Sequence, residues 1–374
     1  MTSLAFHVDQ LYYPAPGGIG AYVRHILPAM ARQDPSLEVR LFHARFGERG
    51  PADPVLRDFW TEELSQGIRT LHPRWNLTDR PRLPVSLSSL DLLHAPSPGA
   101  VPPAGERQRL VVTVHDLAFL VVPFAFPPKW RTLFRMGLRA TVKRADAIIA
   151  PSRNTAEDLL SRTKVDPERV HVIPLAAALE PGDADPDEVV SRLKIPVPFV
   201  LFVGTLEPRK NLVRLIRAYR RAAATGIPHA LVLAGPLGWR HQTLLREIAL
   251  KGPGDVVLTG ALSPADLDAV YRRAALLVHP ALYEGVGIPV LEAMVRGVPV
   301  ACSNTSSLPE VAGDGALGVN PMSVREIASA IETVAKDPGL ARQLSERGPA
   351  RAERFSWDET ARLTLQVYEK ALEH

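Results

Sequence analysis

A chain of 374 residues, 46% hydrophobic and 22% charged, carries enough apolar material for two ordinary domains and lacks the biased composition of a fibrous or disordered protein. Its only cysteine, Cys302, excludes an intrachain disulfide, and a place after the apolar run GVPVA predicts a buried thiol in a reducing compartment. The net charge of +4 is modest: residues 1–175 hold 22 Lys/Arg against 17 Asp/Glu and residues 176–374 hold 22 against 23, without the dense basic and aromatic clusters of a nucleic-acid binder.

Met1 leads almost directly into the strand-like run LAFHV, with no charged n-region or cleavage site, and the apolar stretch from Leu110 to Phe126 is broken by His115, Asp116 and Pro123. Neither secretion nor a membrane span is expected, and the expected location is cytoplasmic. Apolar runs then alternate with helical patterns: Leu4–Val8, Ile19–Arg32, Val39–His43, Leu110–Val114, Trp130–Lys143 and Ala147–Ala150. This rhythm predicts an α/β fold with a mainly parallel sheet. Gly17, Gly18 and Gly20 fall between the first strand and the first helix, at a spacing that is not GxGxxG; a mere turn and a ligand loop are both open readings. His115 and Asp116 end what reads as a central strand, LVVTV.

In PPKWRTLFRMGLRATVKRAD, Arg131, Arg135, Arg139 and Lys143 recur every four residues and form one basic stripe on a helix. The stripe is either a solvated face or a docking face for an anionic membrane surface. Residues 179–196, rich in Pro, Gly and Asp, read as a linker between a first domain, 1–178, and a second, 197–355. The D-x-D pair Asp183 and Asp185 lies in that linker and is read as a solvated turn, so no metal is assigned.

A second strand series starts at Phe199–Val203 and continues through Ala230–Ala234, Val256–Thr259 and Ala274–His279. Its first member opens into GTLEPRKN, where Arg209 and Lys210 sit beyond a strand end, the place where ligands gather in parallel sheets. Its last opens into HPALYEGVGIPVLEAMVRG. There Gly285 and Gly287 permit close backbone approach, Pro289 suits a helix start, Gly297 suits its stop, and Glu284 and Glu292 frame the joint at E-x7-E spacing. Such a helix N-terminus suits an anion. The chain ends in FSWDETARLTLQVYEKAL, with Ser356 and Glu359 in capping-box spacing and Leu363, Val367 and Tyr368 on one face.

The thirty-odd residues around YEGVGIPVLEAMVRGVPVACSNTSSLPEV, together with GTLEPRKN and the GG segment, resemble the nucleotide-sugar site of retaining glycosyltransferases of family GT4. The resemblance implies a GT-B fold: two doubly wound, Rossmann-like domains facing a central cleft, with residues 356–374 crossing back to the first domain. It implies that Arg209 and Lys210 bind the donor diphosphate with Gly204 and Thr205 shaping the turn, and that Glu207 orients this loop. It places Gly285, Val286 and Gly287 against the donor, Glu284 on hydroxyls of the transferred sugar, and Glu292 on the ribose. Gly17 and Gly18 would close over the diphosphate from the other domain, and His115 would position the hexose and stabilise charge, with Asp116 fixing its tautomer or capping the turn.

The expected activity is transfer of a hexose from a nucleoside diphosphate sugar, with no other cofactor and no metal, to a saccharide or lipid-linked acceptor. The wording VHDLAFL, GTLEPRKN and SNTSSLPEVAGDGAL is closest to the mannosyltransferase-like branch of bacterial surface polysaccharide synthesis, which makes GDP-mannose the first donor and a UDP-sugar the alternative. A glycoside hydrolase would also use two carboxylates but would need no basic diphosphate clamp, and an idle binding protein of the same fold would take up nucleotide without turnover.

Overall fold

The computed structural model describes residues 2–13, 16–47 and 53–373. The chain forms two compact units, one of Met1–Leu120, Pro128–Leu175 and Ser356–His374, the other of Val121–Pro127 and Ala176–Phe355. Each is a Rossmann-like α/β domain built on one all-parallel sheet, and the fold is GT-B.

In the first unit, β1 (Ser3–His7), β2 (Glu38–Arg45), β3 (Trp60–Gly67), β4 (Leu92–Ala95), β5 (Arg109–Thr113), β6 (Ala147–Ala150) and β7 (Val170–Val172) lie in the order β3-β2-β1-β4-β5-β6-β7. Ala5 of β1 sits opposite Arg40 of β2 and Leu93 of β4. The strand order reverses between β1 and β4, so the ends of these strands flank the natural ligand crevice of an open parallel sheet. The first helix, Gly17–Gln33, already contains all three glycines. They therefore supply first-turn N–H groups instead of a free loop, a correction to the sequence reading; Gly17 starts the helix at a φ of +61° that glycine adopts without penalty. Pro14 and Ala15 of the same motif lie outside the described residues.

The last helix, Trp357–Glu373, belongs to the first unit. Ser356 Oγ accepts from the Glu359 N–H at 3.1 Å, Thr360 Oγ1 donates to the Pro174 carbonyl at 2.7 Å, and buried Tyr368 and His94 share a 2.5 Å hydrogen bond.

In the second unit, β8 (Phe199–Val203), β9 (Ala230–Ala234), β10 (Val256–Gly260), β11 (Leu276–His279), β12 (Val300–Ser303) and β13 (Leu317–Val319) are ordered β10-β9-β8-β11-β12-β13. Here the reversal falls between β8 and β11, the two strands that open into GTLEPRKN and HPALYEGVG. Cys302 is buried in β12, and burial pushes its thiol up to about 12.

Two segments differ from the sequence reading. Val121–Pro127 joins the second unit because Trp239 Nε1 donates to the Ala125 carbonyl at 2.7 Å and the Trp239 ring lies 5.5 Å from that of Phe126. The stretch after Leu175 is fastened down instead of hanging free. Arg296 donates to the carbonyls of Leu179 and Glu180, and Arg272 to those of Gly182 and Ala184, while both guanidiniums pair with the buried carboxylate of Asp268. Asp185 caps the short helix Pro186–Arg192, accepting from the Asp187 N–H at 2.8 Å. Among the described residues no helix is long and apolar enough to cross a membrane.

Candidate active site

The strand end of β8 turns at Gly204, whose φ of +140° only glycine adopts readily. The next strand end turns at Gly235, φ +144°, where an added Cβ would meet the Gly204 carbonyl oxygen at 2.1 Å, so the two loops touch backbone to backbone. Thr205 and Leu206 follow, and a single 3-10 turn, Pro208–Lys210, carries the two cations. Asn211 ends that turn in the left-handed region at φ +63°, and its amide donates to the carbonyls of Pro280 and Pro321 at 3.0 and 2.7 Å. This amide and the 2.9 Å bond from the Leu282 N–H to the Arg209 carbonyl tie the β8 loop to the β11 loop.

The tie brings a carboxylate onto the cations. Glu284 Oε2 accepts from Arg209 Nη1 at 2.8 Å, and its Oε1 accepts from Lys210 Nζ and lies 3.0 Å from His279 Nε2. Glu207 braces the other side of Arg209, accepting from its Nε at 3.0 Å. All of these side chains are largely buried. Burial alone would raise the Glu284 carboxyl, but Arg209 and Lys210 hold it well below the usual carboxylate range, so it is ionised at neutral pH. Burial wins at Glu207, pushing its carboxyl up against the pull of Arg209 and Lys210. Burial also lowers His279, which is therefore neutral and stacks on Phe202 at 5.5 Å. Arg209 and Lys210 are thus not bare cations: their charge is balanced inside the protein.

The helix Ile288–Val295 starts directly after this cluster, with Gly287 as N-cap at φ +100° and Pro289 in its first turn. A Cβ on Gly287 would meet Leu308 Cδ2 at 2.5 Å. Ser307 Oγ donates to the carbonyls of Glu284 and Val286, at 2.9 and 3.1 Å, and Ser306 Oγ accepts the Glu284 N–H at 3.1 Å, so two serines brace the loop. At the far end, the Gly297 N–H bonds the Met294 carbonyl and the Val298 N–H that of Ala293, a Schellman stop with Gly297 at φ +64°. Glu292 is buried within this helix and accepts from Tyr271 Oη at 2.8 Å; burial raises its carboxyl, offset by Tyr271, Arg296 and the Ala178 backbone.

Residues 186–351 match the family described as glycosyl transferases group 1, and residues 16–180 match glycosyltransferase family 4. The O-antigen chain mannosyltransferase B of Escherichia coli is 28% identical over 98% of this chain and 99% of its own. The serotype-specific mannosyltransferase WbdA of Escherichia coli is 32% identical over 73% of this chain, a match that spans 35% of WbdA. The chain belongs to glycosyltransferase family 4. A solved structure of HepE from Anabaena, in complex with UDP-glucose, has the same fold, with a TM-score of 0.73 at 19% identity over 99% of both chains.

Of the residues anticipated for a family 4 site, the second unit gathers Gly204, Thr205, Arg209, Lys210, Glu284, Gly285, Val286 and Gly287 at the β8/β11 reversal, with Glu292 in the helix that follows. Gly17, Gly18 and His115 lie in the first unit. His115 follows β5 and is neutral at neutral pH: burial lowers it to about 4, against a raising bond to the Pro96 carbonyl. Its Nε2 is buried without a hydrogen-bond partner among the described residues. Asp116 resolves as a cap, accepting from the Ala118 N–H at 2.9 Å.

Four residues escaped the sequence reading: His279, Ser307, Tyr271 and Asn211. The only available signal was position, since His279 ends a buried strand and Asn211 follows the two cations directly.

Proposed function

We propose that this family 4 enzyme moves a hexose from a nucleoside diphosphate sugar to a hydroxyl of a saccharide or lipid-linked acceptor, with retention at the anomeric carbon and without a metal. The observation that carries this reading is the buried cluster of Arg209, Lys210 and Glu284 beside the Gly287 helix terminus. A leaving diphosphate gains negative charge in the transition state, and preorganised cations and helix N–H groups stabilise that charge most where water is excluded. Diphosphate would take Arg209 and Lys210 from Glu284, and the carboxylate so released would accept hydroxyls of the transferred sugar. Glu292, with Tyr271 as its donor, would hold the ribose.

The neutral His115 would accept a sugar hydroxyl at Nε2, its ring proton being engaged by Pro96. Roles for Gly17 and Gly18 on the diphosphate rest on the family resemblance alone. GDP-mannose is the first donor to test, supported by the mannosyltransferase names of the relatives. The UDP-glucose complex of HepE favours a UDP-sugar as the second. A thermal-shift panel of UDP, GDP, ADP and their sugars decides. The preferred ligand at 100 times its Kd should add about 2.7 kcal/mol of apparent stability, with the same shift whether or not Mg²⁺ is present. A chain stabilised by none of them would sink the proposal.

The acceptor reading includes peripheral attachment to the inner face of the membrane through the helix Pro128–Arg144. Arg135, Arg139 and Lys143 are exposed, as is Trp130, whereas Arg131 is half-buried, so three cations face solvent instead of four. Three cations at roughly 1 kcal/mol each should give co-sedimentation with anionic but not neutral vesicles at low salt. The triple change of Arg135, Arg139 and Lys143 to Glu should abolish it. If wild type ignores anionic vesicles at low salt, the stripe is an ordinary wet face.

A further inference from the structure

In the first unit, the place where β1 ends beside β2 holds a cluster that glycosyl transfer does not use. His7 ends β1, Asp9 begins the 3-10 turn Asp9–Tyr12, and His72 projects from the helix Ile68–Thr78. One ligand atom from each lies within 4.8 Å of the other two. Asp9 Oδ2 is 3.0 Å from His7 Nε2 and 2.6 Å from His72 Nε2. Both rings therefore aim the same nitrogen at one carboxylate oxygen.

A purely structural ion pair explains only half of this. His72 makes a hydrogen bond to Asp9, but His7 Nε2, in a residue 4% exposed, has no hydrogen-bond partner among the described residues: it is close to Oδ2 yet off the line a hydrogen bond needs. The other oxygen of Asp9 accepts the Ala44 N–H at 2.6 Å, which fixes the carboxylate plane and leaves Oδ2 for the histidines. Aromatic rings wall the cluster: Phe42 stacks on His7 at 5.1 Å, and Trp75 meets His7 edge-on at 5.8 Å. Two imidazoles and one carboxylate on separate elements, with the carboxylate held from behind and an apolar shell around them, is the donor set and support of a borderline divalent ion.

We propose that His7, Asp9 and His72 bind one zinc ion, through Nε2 of each neutral ring and Oδ2 of the carboxylate, with water as the fourth ligand. Bonds of about 2.0–2.1 Å at tetrahedral angles put ligand atoms about 3.3 Å apart. The 3.0 Å contact of His7 needs to open by about 0.3 Å and the 2.6 Å contact of His72 by about 0.7 Å, and the partly exposed His72 side chain can supply the larger movement. The ion would pin the end of β1 to the helix Ile68–Thr78 and so fix the turn Asp9–Tyr12, which leads into the glycine-rich helix start. It plays no part in the chemistry on the donor.

The test uses untagged full-length protein, stripped with a zinc chelator and titrated with Co²⁺ and then Zn²⁺. Wild type should develop the visible absorption of tetrahedral Co²⁺ at one equivalent per chain, and Zn²⁺ should displace it. His72→Ala should weaken Zn²⁺ binding at least 100-fold, while His241→Ala, elsewhere in the chain, should leave it unchanged. Should His72→Ala lose its circular dichroism, His72→Gln, which keeps a polar group toward Asp9 and removes the ring ligand, serves in its place. Absence of a tetrahedral Co²⁺ spectrum in wild type, or equal Zn²⁺ affinity in the His72 variant, overturns the site.

Discussion

Replacing Lys210 by alanine should lower kcat/KM for nucleoside diphosphate sugar turnover by about 2–4 kcal/mol, roughly 30- to 1000-fold, the loss expected when a donor that stabilises transition-state charge is removed. Lys210 is buried on Glu284, which holds its ammonium in place for the diphosphate that would take it over. Loss of the cation also strands half of the Glu284 charge on Arg209, and the variant should bind donor more weakly as well. Wild-type kcat/KM in Lys210→Ala would remove this residue from the site.

Replacing Glu284 by glutamine should be the most destabilising single change in the cluster, at about 3–5 kcal/mol, because a buried ion network that loses this anion leaves a buried cation uncompensated. Glu207 still pairs with Arg209, but nothing comparable remains for Lys210. Adding Lys210→Met to Glu284→Gln should recover much of the urea midpoint while leaving turnover abolished. Equal midpoints for wild type and Glu284→Gln would show that the network contributes no net stability. The pH dependence has a definite sign. Arg209 and Lys210 depress the Glu284 carboxyl in the folded state despite burial, so its contribution is fully present above the unfolded carboxyl value of about 4.3. It is lost as pH falls toward the lower folded value, and Glu284→Gln should flatten that acid limb.

Most of the strands that were legible are buried on both faces, although the half-buried edge strand β10 was read and the buried β4 was not. FVLFV and ALVLA read as unbroken apolar runs because β8 and β9 lie inside the sheet. The edge strand β3, WTEELSQG, carries mostly half-buried and exposed side chains and gave no signal, and β7 and β13 are only three residues long. The glycine segment misled because three glycines argue against a helix start, and the N-cap Pro16 offers no capping side chain. At the site, the contiguous motifs were readable because one loop and one helix turn hold most of the groups. What pairs with them was not: Glu284 meets Arg209 and Lys210 across 74 or 75 residues, and Tyr271 meets Glu292 across 21. Those distances close only through the order of the parallel strands. For the same reason the sequence suggested two bare cations where the folded chain holds a balanced cluster.

The backbone contact between Gly204 and Gly235 limits how this enzyme can be re-engineered. With a carbonyl oxygen 2.1 Å from where a Cβ would stand, Gly235 accepts no other residue without moving the β8 turn, and Gly287 is held to glycine by its φ of +100°, with the end of the Leu308 side chain crowding the same place. Libraries aimed at a different donor sugar should therefore hold these two positions constant. The variation belongs at exposed Leu237 and at Leu262, and not at Gly238, where a Cβ would meet Thr205 and Glu207, or at Trp239, which holds the Ala125 carbonyl.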